Sequence, residues 1–102
     1  MSARITMKLL HTQGEILLAA ADAALINRDI REGKLHLRIV PEFYGETVVS
    51  DETFLSSMGM CTIANLVGKH VIGLAVENEY VDSENIIYID GVPHAQFARI
   101  VE

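Results

Sequence analysis

Ile5, Met7 and Leu9 alternate with Arg4, Thr6 and Lys8. That period of two predicts a strand with one buried face. His11 to Gly14 reads as a polar turn, and Ile16 to Ala20 as a continuously apolar second strand, so the two predict a hairpin. Asp22 is placed to cap a short helix running to about Arg31, with Gly33 as its stop. Lys34 to Val40 alternates again: Leu35, Leu37 and Ile39 point one way, Lys34, His36 and Arg38 the other. Pro41 ends that strand, and Glu42-Phe43-Tyr44-Gly45 reads as a loop. Ser50 with Glu52 and Thr53 opens a short helix to about Met58, closed by Gly59.

Ile63, Leu66, Val67, Val71 and Leu74 recur at helical spacing, which predicts the main helix over residues 62–79. Ile72 and Val76 widen its apolar surface beyond one face. Gly68 and Gly73 would each cost such a helix about 1 kcal/mol against Ala. Close approach of another backbone, a sheet or a partner helix, would offset that. Asn85 to Ile89 is a fourth strand, Asp90-Gly91-Val92-Pro93 a turn, and Ala95 to Val101 a fifth strand. The order β-β-α-β-α-α-β-β predicts an α+β fold, one mixed sheet of about five strands with helices packed on it, in a single compact α/β domain over residues 1–102.

Composition changes this picture in two ways. Counting Gly and leaving out Tyr, the apolar share is about 54 %, above the usual 45–50 % or so. One small core cannot hide that excess, so a homodimer is expected. No run approaches the length of a membrane span, and the single cysteine, Cys61, fits a reducing cytoplasm. The net charge of −6 argues against a general nucleic-acid coat and against DNA as partner. Charge is unevenly spread, however: residues 1–38 carry net +2 and residues 39–102 net −8. A local basic face on an acidic protein is compatible with that asymmetry.

Three segments resemble the markers of a family of small archaeal proteins known only as a domain of unknown function: Glu42-Phe43-Tyr44-Gly45, Thr62-Ile63-Ala64-Asn65-Leu66-Val67-Gly68 and Gly91-Val92-Pro93-His94-Ala95-Gln96. The resemblance runs over nearly the whole chain. It implies an archaeal cytoplasmic protein with a compact α/β fold, with a link to translation or RNA metabolism as a general expectation. It carries no activity, substrate or catalytic residue.

The chain has no zinc-binding cysteine pair, no His-Glu-x-x-His, no phosphate-binding glycine loop and no dinucleotide fingerprint. No metal, cofactor or catalytic residue is therefore assigned. Cys61, just ahead of the expected main helix, reads first as a small buried hydrophobe beside Met58 and Met60; the other reading is a thiolate favoured by the helix dipole. His70 falls on the apolar side of that helix as a core or interface histidine, while His11 and His36 read as surface residues. Phe43 and Tyr44 could stack a base, or divide into one core ring and one rim ring. His94 follows Pro93, which narrows the backbone, and Gln96 shares its side of an extended chain. Together they could read a polar ligand or move a proton, or instead satisfy neighbouring backbone groups.

Two functions follow. One is a non-enzymatic binding module for RNA or a ribosome-associated partner, using the anion-attracting face of Lys34, His36 and Arg38, with Arg28 and Arg31 upstream and Arg4 and Lys8 extending it if the first strand lies beside the third. The alternative is a small enzyme or metabolite-binding protein with a site around Tyr44, Asn65, His94 and Gln96.

Overall fold

A computed structural model describes residues 3–99. Among these residues eight strands, three α-helices and two 3-10 turns follow one another: β1 (Ile5–Thr12), β2 (Glu15–Asp22), a 3-10 turn (Ala23–Leu25), β3 (Asp29–Glu32), β4 (Leu35–Arg38), α1 (Pro41–Tyr44), β5 (Val48–Val49), α2 (Asp51–Met58), β6 (Ile63–Val67), α3 (Lys69–Glu77), a 3-10 turn (Ser83–Asn85), β7 (Ile87–Ile89) and β8 (Val92–Ala98). Six of the strands form one mixed sheet in the order β5-β1-β2-β6-β8-β7, and β3 and β4 pair separately. Only β2 and β6 run parallel among these pairings. The architecture is α+β with a mixed main sheet, of six strands where about five were expected.

The first hairpin forms as its alternation predicts, with Ile5 opposite Asp22 and Thr12 opposite Glu15. His11 belongs to β1 rather than to the turn, which is the pair Gln13-Gly14, both at positive φ. Helix α2 starts where its sequence says it should: the Ser50 hydroxyl accepts from the Thr53 amide at 3.1 Å and occupies one of the free donors of the first turn. Glu42-Phe43-Tyr44, read as loop, is instead the body of the one-turn helix α1, with Pro41 in its first turn.

Two expected helices fail. Residues 62–79 are not one helix but β6, Gly68 and α3. Strand β6 is central, with Ala64, Leu66 and Val67 all fully buried. A strand covered on both faces reads as a continuous apolar run, and such a run matches helical spacing by accident. The Thr62 hydroxyl, in the place of a helix opener, joins β6 to β2: it donates to Glu15 Oε2 at 2.6 Å and accepts from the Ile16 amide at 2.9 Å.

The segment from Asp22 to Arg31 is not a helix either, but a single 3-10 turn followed by β3. Gly33 turns the β3–β4 hairpin instead of stopping a helix. Asp22 is a cap, but for a different helix: its carboxylate accepts from the amides of His70 (3.0 Å) and Val71 (2.9 Å) in the first turn of α3. That contact crosses 48 residues of chain and is invisible to a local pattern. It also accounts for Gly68, whose φ of +116° few other residues adopt and whose missing Cβ would collide with the Asp22 carboxyl group.

Each face of the sheet carries its own core. On one side Ile5, Leu18, Ala20, Leu66 and Ala95 pack with Phe54 and Met58 of α2 and Val71 and Ala75 of α3. On the other, Ala19, Ala21 and Val67 pack with Tyr44 of α1 and with Ile30 and Ile39 from the β3–β4 hairpin and its flank. The hairpin is further tied down where the Asp90 amide donates to Glu32 Oε1 at 2.7 Å.

Candidate functional site

Strand register decides which of the candidate residues meet. β6 and β8 are antiparallel, with Asn65 directly opposite Gln96 and Val67 opposite His94. Opposed side chains lie on the same face, with Cβ atoms about 5 Å apart. Asn65 is also opposite Ala19 on β2, and Ala19 belongs to the cluster that buries Tyr44. Tyr44, Asn65, His94 and Gln96 therefore share the sheet face that α1 and the β3–β4 hairpin cover only in part. Asn65 sits mid-strand, not near a helix start as the sequence suggested.

The four differ in environment. Tyr44 is 2 % exposed, and burial pushes its hydroxyl up to about 12. Phe43 meets it edge-on, ring centres 4.9 Å apart, and remains 38 % exposed, so the pair divides into a core ring and a rim ring. Asn65 and His94 are half-buried and Gln96 is exposed. Burial holds the His94 imidazole below its ordinary value, which favours the neutral ring. The turn before it is a two-residue hairpin in which Asp90 and Gly91 both have positive φ. Pro93 lies inside β8 rather than in the turn, on the opposite face from His94, and is buried. Gln96 borders a hollow of about 180 Å³ beside Tyr80, Asp82 and Asn85.

The second candidate surface is the β3–β4 hairpin. Asp29 pairs with Arg38 and Arg31 with His36, so alternation turns these four side chains outward while Ile30 and Leu37 face the sheet. Arg28, Arg31, Lys34, His36 and Arg38 are all exposed, but Lys34 stands in the turn beside Gly33 and not on β4, so strand alternation does not set it on the face of His36 and Arg38. Asp29 partly neutralises the group, contacting both the His36 ring and Arg31, the latter at 3.8 Å. Arg4 and Lys8 do not extend this face, because β1 pairs with β2 and β5 and not with β4. Lys8 instead donates to the Glu42 carbonyl at 2.8 Å.

The remaining chemical candidates resolve into structure. Cys61 lies between α2 and β6, not at a helix start; it is 1 % exposed and its thiol faces the Met58 carbonyl at 3.5 Å. Burial pushes the thiol up, with Arg99 pulling the other way, so it is a protonated core side chain. His70 is in the first turn of α3 and joins it to α2 through Asp51 Oδ1 at 2.9 Å. Among the described residues no group of three or more His, Cys, Asp or Glu is placed to hold a metal ion, and no helix is long and apolar enough to cross a membrane.

Comparison with known proteins matches the fold and leaves the chemistry open. A crystal structure of an uncharacterized conserved protein from Methanopyrus kandleri superposes with a TM-score of 0.80, covering 98 % of this chain and 96 % of that one at 18 % identity. At that identity the likeness shows the fold alone. No curated protein matches. The family model of a protein of unknown function (DUF424) matches residues 10–100, which takes in all three marker segments, and the chain belongs to that family.

Proposed function

We propose that this protein is a non-enzymatic binding module that holds RNA through its β3–β4 hairpin, in a role linked to translation or RNA metabolism. The observation that carries this is the segregation of charge. Residues 28–38 hold four of the eight Lys and Arg side chains and two of the fourteen Asp and Glu, so the hairpin is net +2 on a remainder of net −8. Arg31, His36 and Arg38 are exposed together on the outward side of this small element, with Lys34 exposed in its turn and Arg28 exposed just ahead of it. Such a patch attracts phosphate while the acidic remainder repels it, which favours a weak, oriented contact over a coat. An archaeal setting is in keeping with the Methanopyrus neighbour.

The test is fluorescence anisotropy with a labelled single-stranded RNA across a salt series. With Arg31, Lys34 and Arg38 engaged, the slope of log affinity against log salt is expected near −2, from about −0.7 per phosphate neutralised. Reversing Lys34 and Arg38 together to Glu is expected to abolish binding with the circular dichroism unchanged. RNA binding that survives this reversal overturns the proposal.

A second reading, a metabolite or catalytic site, draws on the juxtaposition of Asn65 and Gln96 with neutral His94 beside them. Three neutral polar side chains on one face offer both donors and acceptors to a polar ligand. Loss of a bound metabolite from His94→Ala, with thermal stability held, would favour this reading over the first.

A further inference from the structure

Helix α3 carries Lys69, Gly73 and Glu77 at successive four-residue steps, so the three share one stripe. All three are exposed. They line one side of an apolar groove of about 570 Å³, with Val76 of the same helix, and Ile86 and Tyr88 across it. Tyr88 is 56 % exposed. Gly73 is the unusual member. It lies inside a helix, where Gly is disfavoured, its φ is not in the left-handed region, and a Cβ built there would meet nothing within 4 Å. Nothing within the described chain requires a glycine, unlike Gly68, which Asp22 accounts for. What the missing side chain does is leave the helix backbone bare at the middle of the stripe, where it borders the groove.

The two charges say what approaches it. Lys69 stands four residues before Gly73 and Glu77 four after, and neither has an ion-pair partner among the described residues. An antiparallel helix crossing at Gly73 around a two-fold axis brings Lys69 of each copy to Glu77 of the other. The stripe is thus complementary to itself, as a two-fold interface must be. We infer that α3 is the interface of a homodimer, crossing α3 of a second copy at Gly73 with reciprocal Lys69–Glu77 ion pairs and Val76, Ile86 and Tyr88 closed over. The arrangement also gives an outlet to the apolar excess of the composition. A nine-residue helix is only about 14 Å long, so the contact falls toward the small end of the roughly 800 Å² per partner of a standard interface. The dimer is therefore expected to depend on concentration.

Analytical ultracentrifugation of the chain from low micromolar to millimolar concentration is expected to move the mass from 11.3 kDa toward twice that value. Gly73→Gln, a good helix former that fills the groove, is expected to remain monomeric throughout with unchanged circular dichroism. The charge arm tests the two-fold geometry. Lys69→Glu and Glu77→Lys should each be monomeric alone, since each sets like charges opposite one another. A mixture of the two should form a heterodimer, because both of its contacts are then between opposite charges, and the double reversal should restore the homodimer. A wild-type chain that stays monomeric at every concentration overturns the inference. So does a dimer that Gly73→Gln leaves intact, or one that both single reversals leave intact, since its interface is then not this two-fold crossing. Neither result bears on RNA binding by the hairpin.

Discussion

Among the described residues His94 is one of three side chains whose titration the fold clearly moves, with Tyr44 and Cys61, and the physical cause is loss of water around the half-buried ring. The shift has a definite consequence for stability. The folded protein binds a proton at His94 less readily than the unfolded chain, whose imidazole takes one near pH 6.5. Above that pH both states are neutral and the contribution is complete. As pH falls through the unfolded value the unfolded state gains protons first, so stability declines with falling pH until the folded ring is protonated too. Chemical denaturation of wild type and His94→Gln between neutral pH and pH 5 checks this: the substitution is expected to flatten the acid-side decline. Parallel curves would mean that His94 is as readily protonated folded as unfolded. The residue was legible in the sequence as a side chain held by Pro93; its pairing position opposite Val67 and its half-buried state were not, because both depend on a strand that lies 27 residues away.

At the scale of elements, the decisive junction is the one between β6 and α3. Four features meet there: the end of a central strand, a glycine at φ +116°, the first turn of a helix, and the Asp22 carboxylate that caps that turn from the end of β2. Gly68→Ala sets a Cβ against that carboxylate in a backbone region that L-residues resist. The loss is expected to be about 2–4 kcal/mol, combining a backbone penalty of about 1–3 kcal/mol with a weakened cap of about 1 kcal/mol. Thermal denaturation measures it, and a loss below about 1 kcal/mol would show that neither the backbone penalty nor the clash with Asp22 is felt in full. This junction is also where pattern reading failed. Ile63, Leu66 and Val67 continue into Val71 and Leu74 with helical spacing, although the first three are strand and the last two helix. Period alone cannot separate a short buried strand from a buried helix when both are apolar all round. The one local sign of a boundary was Gly68 itself.

Across the whole molecule, the sheet is a two-sided core whose centre is β2 and β6. Both are flanked by strands on each edge and carry the residues of lowest exposure, Leu18, Ala20, Ala64 and Leu66 among them. The β3–β4 hairpin, by contrast, is held by one small cluster and the Glu32–Asp90 contact. Hydrogen exchange is therefore expected to show the slowest amides in β2 and β6, and amides of β3 and β4 opening at lower free energy. Equal protection of the hairpin and the central strands would show that the basic element is part of the global folding unit. Much of this molecule is present in the sequence by itself: the β1–β2 hairpin, α2 with its Ser50 cap, the outward alternation of His36 and Arg38, and the α+β class. Those features depend on periodicity, caps and turn residues, which act within a few residues of one another. The tertiary structure alone decided that 62–79 divides into strand and helix, that Asp22 caps α3, that Asn65 stands opposite Gln96, and that Lys69, Gly73 and Glu77 border an open groove. Each of these depends on which strand lies beside which, and that is set by burying two apolar faces at once, a condition on the whole chain that no local pattern records.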